Sequence, residues 1–188
     1  MIEHYGYNLI TQYKGKMLEL GNQIMNLENL QNVSAKEHFT KLGYNHTSID
    51  INGLDGAMPL DLSKPIKEDL GLFDIITDMG TIEHVSNLYE ALKNVFNLLN
   101  INGVVIHKNP KTGSFSDIYH KEAHHFTLDF WNEYAKETNM DIIKIEEHPI
   151  YHNVIDGWEC IAILRKTKNS KQLTKAQFLR ISKHIYNE

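Results

Sequence analysis

Lys16-Met17-Leu18-Glu19-Leu20-Gly21-Asn22-Gln23 and Ser48-Ile49-Asp50-Ile51 are the two stretches that decide the fold. Each is a short apolar run of the β type with a carboxylate near its end, Glu19 in the first and Asp50 in the second. In open α/β sheets, ligands bind outside the carboxyl ends of parallel strands, where a backbone turn meets one part of the ligand and an acidic side chain accepts hydrogen bonds from a ribose. The two stretches therefore predict a nucleoside-binding α/β sheet.

Short β-type runs alternate with helix-period runs along the rest of the chain, which is typical of a mostly parallel sheet covered by helices. The clearest helix is predicted over residues 86–99, where apolar residues recur at the three- and four-residue spacing of one helix face. Another begins at the capping box of Ser34 and closes near Gly43, and a third covers 127–138. The predicted strands are 17–20, 47–51, 58–62, 73–77, 103–107, 142–146 and 158–164, the last two antiparallel at one sheet edge.

The composition is that of one ordinary domain, since the 188 residues are 41% hydrophobic and 23% charged. We expect a single domain over 1–188, with its core at roughly 14–165 and a basic, helical segment at 166–188. The lone Cys160 excludes an internal disulfide framework and predicts an inert buried thiol. The start of the chain lacks a secretory pattern and no apolar run approaches a membrane span, so we expect a cytoplasmic protein without a membrane partner.

The charge is unevenly distributed along the chain. The net charge is −5, yet most residues of the segment 165–188 that carry a charge are Lys or Arg. An acidic body argues against a surface that grips a polyanion, although the basic segment keeps a nucleic-acid partner possible. We therefore favour a small-molecule partner over a nucleic acid.

The order of the elements and the residues at the strand ends resemble the class I S-adenosylmethionine-dependent methyltransferases, in particular their small-molecule branch. The resemblance covers roughly residues 14–165. It implies a Rossmann-like three-layer α/β sandwich with a mostly parallel seven-stranded sheet and one antiparallel C-terminal strand. It also implies S-adenosylmethionine as cofactor and methyl transfer as activity. The residues that carry it are Glu19-Leu20-Gly21-Asn22-Gln23, Asp50-Ile51, Asp61-Leu62, Phe73-Asp74-Ile75-Ile76-Thr77, Glu83-His84-Val85 and Gly103-Val104-Val105-Ile106.

The same resemblance assigns the cofactor contacts. It places Glu19, Gly21, Asn22 and Gln23 at the methionine end, Asp50 on the ribose, Ile51, Asp61 and Leu62 beside the adenine, and Met79 and Gly80 in the turn that faces the cofactor. The first turn differs from the family pattern because it has one glycine rather than two or three. This departure suits S-adenosylmethionine better than a dinucleotide, because extra glycines let a backbone approach a pyrophosphate, which S-adenosylmethionine lacks.

Two other classes of function stay open. A nicotinamide-dependent oxidoreductase would want a fuller Gly-x-Gly-x-x-Gly turn than this chain has. A binding module that keeps the fold but has lost catalysis would fit the single glycine and the Asn-rich insertion at 24–33, which is predicted to be a lid or an irregular loop.

Histidines are the candidates for the catalytic base. Methyl transfer is a displacement at an activated sulfonium carbon, so the enzyme chiefly aligns the acceptor and removes its proton, a task that suits a neutral imidazole. We predict that His107, His124 and His125 do this, without a metal ion. The predicted substrate wall consists of Phe115, Tyr119, Phe126 and Trp131. The acceptor is expected to be a small molecule, because the Asn-Pro-Pro-Tyr and Pro-Cys sequences of nucleic-acid methyltransferases are absent.

Overall fold

A six-stranded mixed sheet forms the centre of the fold in a computed structural model that describes residues 1–113, 124–152 and 155–187. The strands are β1 (Lys16–Leu20), β2 (Asn45–Ile49), β3 (Phe73–Met79), β4 (Leu99–Pro110), β5 (His124–Phe126), β6 (Asp141–His152), β7 (Ile155–Arg165) and β8 (Ile185–Asn187). The sheet has the order β2-β1-β3-β4-β7-β6, and β5 pairs separately with β8. The first four sheet strands are parallel, and β7 runs antiparallel between β4 and β6. This is a Rossmann-like α/β sheet of mixed strand orientation.

Helices cover both faces of the sheet. The described residues form α1 (His4–Ile10), α2 (Ala35–Lys41), α3 (Leu88–Leu98), α4 (Leu128–Thr138) and α5 (Lys175–Ile181). Apolar residues of α1 and α2 belong to one buried cluster, and those of α3, α4 and α5 belong to the other. None of the helices in the described ranges is long and apolar enough to cross a membrane.

The two clusters explain why β1 reads as a nearly continuous apolar run. Successive side chains of a strand point to opposite faces. Met17 joins the cluster under α1 and α2, whereas Leu18 and Leu20 join the cluster under α3 and α4. Because both faces are covered, β1 buries apolar residues on both sides, as parallel strands do.

The strand predicted at 58–62 is wrong. Met58 forms a single parallel bridge with Ile49 at the outer edge of β2, and no strand continues from it. Pro59 has no N–H to donate to a ladder, and the N–H of Leu60 turns back to the carbonyl of Met58 at 2.8 Å. The main sheet of the described residues therefore has six strands rather than the predicted seven.

The N-terminal part of the chain contains a helix that the sequence did not reveal. α1 lies against the sheet, where Leu9 and Ile10 are buried. The Asn-rich segment at 24–33 forms no helix. It is anchored by bridges from Met25 to Ile2 and from Ile24 to Ser34, and Met25 is buried in the core. The segment is therefore an irregular loop fixed at both ends.

The segment after β7 packs back onto the core. α5 follows the capping box of Thr174 and Gln177, and Leu173 and Ile181 contribute to the cluster under α3 and α4. The chain then adds β8 against β5. The basic residues of this segment thus flank apolar positions that are buried against the same core as the preceding sheet.

Candidate functional site

A cavity of about 470 Å³ opens at the carboxyl ends of β1, β2 and β3. Its volume is in the range of sites that bind small molecules, and its position is the usual one for a ligand in an open α/β sheet. It is lined by Gly21, Asn22, Gln23, Ile49, Asp50, Ile51, Leu60, Asp61, Leu62, Ser63, Gly80, Thr81, His84, Val85 and Ser86. The lining combines five aliphatic side chains with two carboxylates and contains no Lys or Arg from the described residues.

The turn after β1 depends on the glycine at position 21. Gly21 has a φ of +81°, and its N–H donates to the carbonyl of Ile49 at 2.8 Å. A Cβ atom at this position would lie 2.5 Å from Oγ1 of Thr81 and 2.8 Å from Nε2 of Gln23. Both the left-handed backbone and the lack of space therefore require glycine.

Asp50, the first residue after β2, holds the two neighbouring loops together. Its Oδ2 accepts the N–H of Asn22 at 2.7 Å, and its Oδ1 accepts the N–H of Asn52 at 2.9 Å. Each carboxylate oxygen has a second lone pair, so both can accept a further hydrogen bond from a ligand. The backbone thus fixes the carboxylate at the cavity wall before any ligand binds.

Side chains rather than extra glycines fix the rest of the first turn. Oγ1 of Thr81 donates to the carbonyl of Leu20 at 2.8 Å and accepts from Nε2 of Gln23 at 3.2 Å. Asn22 donates from Nδ2 to Asp55 at 2.7 Å. The turn after β1 is therefore clamped to the turn after β3 by specific hydrogen bonds.

Glu19 supports this turn from inside the protein. Its side chain is completely buried, Oε1 accepts the N–H of Gln23 at 3.1 Å, and Oε2 lies 3.5 Å from Nε2 of His46. Burial raises the pKa of the Glu19 carboxyl, and the interaction with His46 opposes the rise. Glu19 does not belong to the cavity lining.

Asp61 is the second carboxylate on the cavity lining. Ser63 donates to its Oδ1 from the backbone N–H at 2.9 Å and from the hydroxyl at 2.6 Å, and Lys64 lies 3.0 Å from Oδ2. The hydrogen bonds from Ser63 and then Lys64 lower the pKa of Asp61 to about 2. The group is therefore ionised at neutral pH.

A buried polar network lies behind the turn after β3. Oδ1 of Asp78 accepts the N–H groups of Thr81 and Ile82 at 3.0 and 3.1 Å, and Oδ2 accepts from Nδ1 of His107 at 2.8 Å and from Asn109 at 2.9 Å. The amide of Asn109 also donates to Glu83 at 3.0 Å. This network sets the conformation of residues 80–84, which form one wall of the cavity.

Eight of the ten predicted cofactor contacts lie on the cavity lining: Gly21, Asn22, Gln23, Asp50, Ile51, Asp61, Leu62 and Gly80. The other two lie elsewhere. Glu19 is buried beneath the turn, and Met79 is buried in the cluster on the side of α1 and α2. Neither side chain reaches the cavity, because strand residues alternate between faces and both positions are covered.

The three predicted catalytic histidines do not line the cavity among the described residues. His107 is completely buried, bonded to Asp78 and stacked on Trp131 with ring centroids 4.3 Å apart. His125 is also buried, whereas Nε2 of His124 lies 3.1 Å from the carbonyl of Val85, a lining residue. Both His107 and His125 are fully buried, so in this conformation neither imidazole lies on the cavity lining, where an acceptor would bind.

The two described residues of the predicted aromatic substrate wall do not line the cavity either. Phe126 and Trp131 are completely buried and pack with one another, with centroids 5.2 Å apart, so they form core rather than wall. Phe115 and Tyr119 lie outside the described residues. Cys160 is buried as predicted, and burial raises the pKa of its thiol to about 12.

The cavity also contains polar residues that were not among the predicted contacts. Thr81, His84, Ser63 and Ser86 all line it. The imidazole of His84 is about half exposed, and its Nε2 lies 4.0 Å from Oε1 of Glu83. The Glu83-His84-Val85 sequence was a signal for this wall. No group of three His, Cys, Asp or Glu side chains in the described ranges has the arrangement of a metal site.

No protein-family model matches the chain, and no curated protein matches it. Solved structures do match. The 1,6-didemethyltoxoflavin-N1-methyltransferase of Burkholderia thailandensis, solved with 1,6-didemethyltoxoflavin and S-adenosylhomocysteine, is 12% identical with a TM-score of 0.61, over 85% of this chain and 74% of that one. A methyltransferase of Methanosarcina mazei is 15% identical with a TM-score of 0.60, over 86% of this chain and 98% of that one.

A third structure, the N-methyltransferase NodS of Bradyrhizobium japonicum with S-adenosylhomocysteine, is 14% identical with a TM-score of 0.52, over 87% of this chain and 88% of that one. At these identities the likeness is one of fold. The chain therefore has the fold of the class I S-adenosylmethionine-dependent methyltransferases.

Proposed function

We propose that this protein binds S-adenosylmethionine and transfers its methyl group to a small-molecule acceptor. The observation that carries the proposal is the position of Asp50. Its carboxylate is held by the N–H groups of Asn22 and Asn52 at the end of β2, on the wall of a cavity of about 470 Å³. A fixed acidic acceptor at this point of a parallel sheet is suited to a ribose diol.

The lining fits the other parts of this cofactor. Ile51, Leu60 and Leu62 give an apolar slot for the adenine next to Asp50, and Asp61 borders it. The turn from Gly21 to Gln23 faces the turn at Gly80, where the methionine end would lie. The two acidic side chains and the absence of a described Lys or Arg from the lining suit a ligand that carries a sulfonium cation.

The bound cofactor would supply a methyl group on a positively charged sulfur, which is already activated toward displacement. The chain's own contribution is to exclude water, align the acceptor and accept its proton. His84 lines the cavity, so its imidazole is our first candidate for the proton acceptor. His124 is the second candidate through Nδ1 only, because its Nε2 lies 3.1 Å from the carbonyl of Val85, which can only accept a hydrogen bond. His107, which anchors Asp78, acts instead on the shape of the cavity wall.

Calorimetric titration of the purified protein with S-adenosylmethionine, S-adenosylhomocysteine and NAD tests the proposal. We expect both sulfur nucleosides to bind with micromolar affinity and NAD to bind much more weakly, because the single-glycine turn at Gly21 leaves no glycine-rich cradle for a pyrophosphate. Binding of NAD alone would replace the methyltransferase proposal with an oxidoreductase. Absence of binding by all three would refute it.

A second candidate is a binding module without catalysis. It is favoured by the first turn, which has a single glycine and whose Gln23 side chain is tied to Thr81. Radiolabelled methyl donor incubated with a panel of amines, phenols and thiols separates the two candidates. Transfer to any acceptor supports the enzyme, whereas tight cofactor binding without transfer supports the module.

A further inference from the structure

Two buried carboxyl groups share one amide group behind the cavity wall. Nδ2 of Asn109 lies 2.9 Å from Oδ2 of Asp78 and 3.0 Å from Oε2 of Glu83. Asp78 is fully buried, and Glu83 is 2% exposed. Two negative charges this close in a medium of low dielectric repel each other strongly, so such a pair holds a proton at neutral pH.

The hydrogen bonds decide which carboxyl holds the proton. Asp78 receives four donors: the N–H groups of Thr81 and Ile82, Nδ1 of His107 and Nδ2 of Asn109. In the described residues, Glu83 receives fewer donors, Nδ2 of Asn109 and its own backbone N–H. Donors stabilise the charged form, so the carboxyl with fewer donors, Glu83, is the one that holds the proton. Burial, followed by the charge of Asp78, raises the pKa of Glu83 to about 8.

The Glu83 carboxyl lies one residue layer from the cavity. Gly80 lines the cavity with a φ of +85°, and a Cβ atom on it would lie 3.1 Å from Oε1 of Glu83. Thr81 and His84, on either side of Glu83, also line the cavity. Because Gly80 has no side chain to intervene, a charge in this part of the cavity acts on Glu83 at short range through a poorly screening medium.

We propose that Glu83 is a charge-sensing residue that distinguishes the methyl donor from its product: it is protonated with the uncharged thioether and ionised with the sulfonium. The inference rests on the proposed function and adds a specificity-determining residue to it. The proton that leaves Glu83 passes to the solvent when the donor binds and returns after transfer. The donor is thereby held more tightly than S-adenosylhomocysteine, which favours product release.

Several other charged groups lie on the elements around Glu83, and most of them already have ion-pair partners. Lys108 of β4 is a fixed cation whose charge partly opposes the rise in the pKa of Glu83, and it is paired with Glu159 at 2.5 Å and Glu3 at 3.3 Å. Glu90 of α3 is paired with Lys93 at 3.2 Å. Further titratable groups on these elements in the described ranges include His84 of the same turn, Tyr89 of α3, His107 of β4, His124 and His125 of β5, and the amino group of Met1.

The charges of the donor and of Glu83 determine how donor affinity changes with pH. A bound cation favours ionised Glu83, so donor binding releases a proton at pH values below about 8, and donor affinity rises as the pH approaches that value. The product is uncharged at sulfur and gives no such release. If the bound donor lowers the pKa of Glu83 by about one unit, the ratio of donor affinity to product affinity changes by at most about tenfold.

The test is calorimetry on the full chain near pH 7 in two buffers of different ionisation enthalpy, with S-adenosylmethionine and S-adenosylhomocysteine as ligands. We expect the donor to release a substantial fraction of one proton more than the product does. We also expect donor affinity, relative to product affinity, to rise about fivefold between about pH 6 and about pH 8, on the way to a tenfold limit at higher pH. Because these readings use the unmodified chain, they do not depend on any variant folding.

Two variants assign the proton to a residue. Glu83→Gln keeps the shape of the protonated acid, and we expect it to abolish the excess proton release of the donor. The matched control is Glu90→Gln, which removes a nearby carboxyl outside the network and should preserve the release. The ligand amine contributes equally in all three proteins.

The outcomes separate this inference from the proposed function. Equal proton release by donor and product, or excess release that survives in Glu83→Gln, overturns the role of Glu83 while leaving the cofactor assignment intact. Absence of binding by both ligands at every pH refutes the proposed function itself.

Discussion

Oδ2 of Asp50 accepts the backbone N–H of Asn22 at 2.7 Å, which joins the end of β2 to the turn after β1. The carboxylate therefore has two tasks. It fixes the turn that carries Gly21, and it presents its remaining lone pairs to the cavity. Because one group serves both loop and ligand, the cavity is organised before binding, and less ordering entropy is lost when a ligand enters.

Replacement of Asp50 by Ala should weaken the binding of S-adenosylmethionine about tenfold or more. A hydrogen bond to a charged group contributes about 1.5–3 kcal/mol, and the turn at Asn22 loses its anchor as well. Calorimetric titration measures the effect. The matched control is Asp69→Ala, whose carboxylate caps the turn at Gly71 and does not line the cavity. Equal affinities in wild type and Asp50→Ala would place the ribose elsewhere.

Gly21→Ala should destabilise the protein more than Gly43→Ala. Both glycines have positive φ, +81° and +87°, so each substitution costs about 1 kcal/mol in backbone strain. A Cβ at Gly21 also meets Thr81 at 2.5 Å, whereas nothing lies within 4 Å of one at Gly43. Urea unfolding measures both variants. Equal losses would show that the turn yields easily to the added methyl group.

His107→Ala should lower the free energy of unfolding by about 1–3 kcal/mol, because Asp78 loses a buried donor and Trp131 loses its stacked partner. His4→Ala is the control, since His4 is an exposed residue of α1 and should have little effect. Unfolding curves in urea give both values. A loss near zero for His107→Ala would contradict a structural role for this imidazole.

The strands at the centre of the sheet could be predicted because their residues are buried on both faces, which makes the apolar runs continuous. The edge could not. The run around Met58 looks like a strand in sequence, but a single bridge to Ile49 is all that forms beside Pro59. α1 escaped prediction because it is short and its stability comes from packing against the sheet, where Gly6 lies beside Met79.

The candidate site was also predictable only in part. Asp50 could be found from the sequence because it directly follows Ile49 at the carboxyl end of a β-type run, which is where ligands bind in open α/β sheets. The network of Asp78, Asn109 and Glu83 could not, because its members are brought together from β3, the following turn and β4 only by the parallel register. For the same reason, the sequence could not reveal that His107 is enclosed.

Glu83 should make the protein less stable as the pH rises from about 4.5 to about 8. Its pKa is about 8 in the folded protein, mainly through burial, and close to that of an ordinary Glu in the unfolded chain, so the folded state binds more protons in this window. The free energy of unfolding should then fall by up to about 1.4 kcal/mol per pH unit from this group. Urea unfolding at a series of pH values measures the slope in wild type, in Glu83→Gln, which should lack this component, and in Glu90→Gln, which should retain it. Parallel slopes in wild type and Glu83→Gln would show that Glu83 is ionised in the folded protein throughout this range.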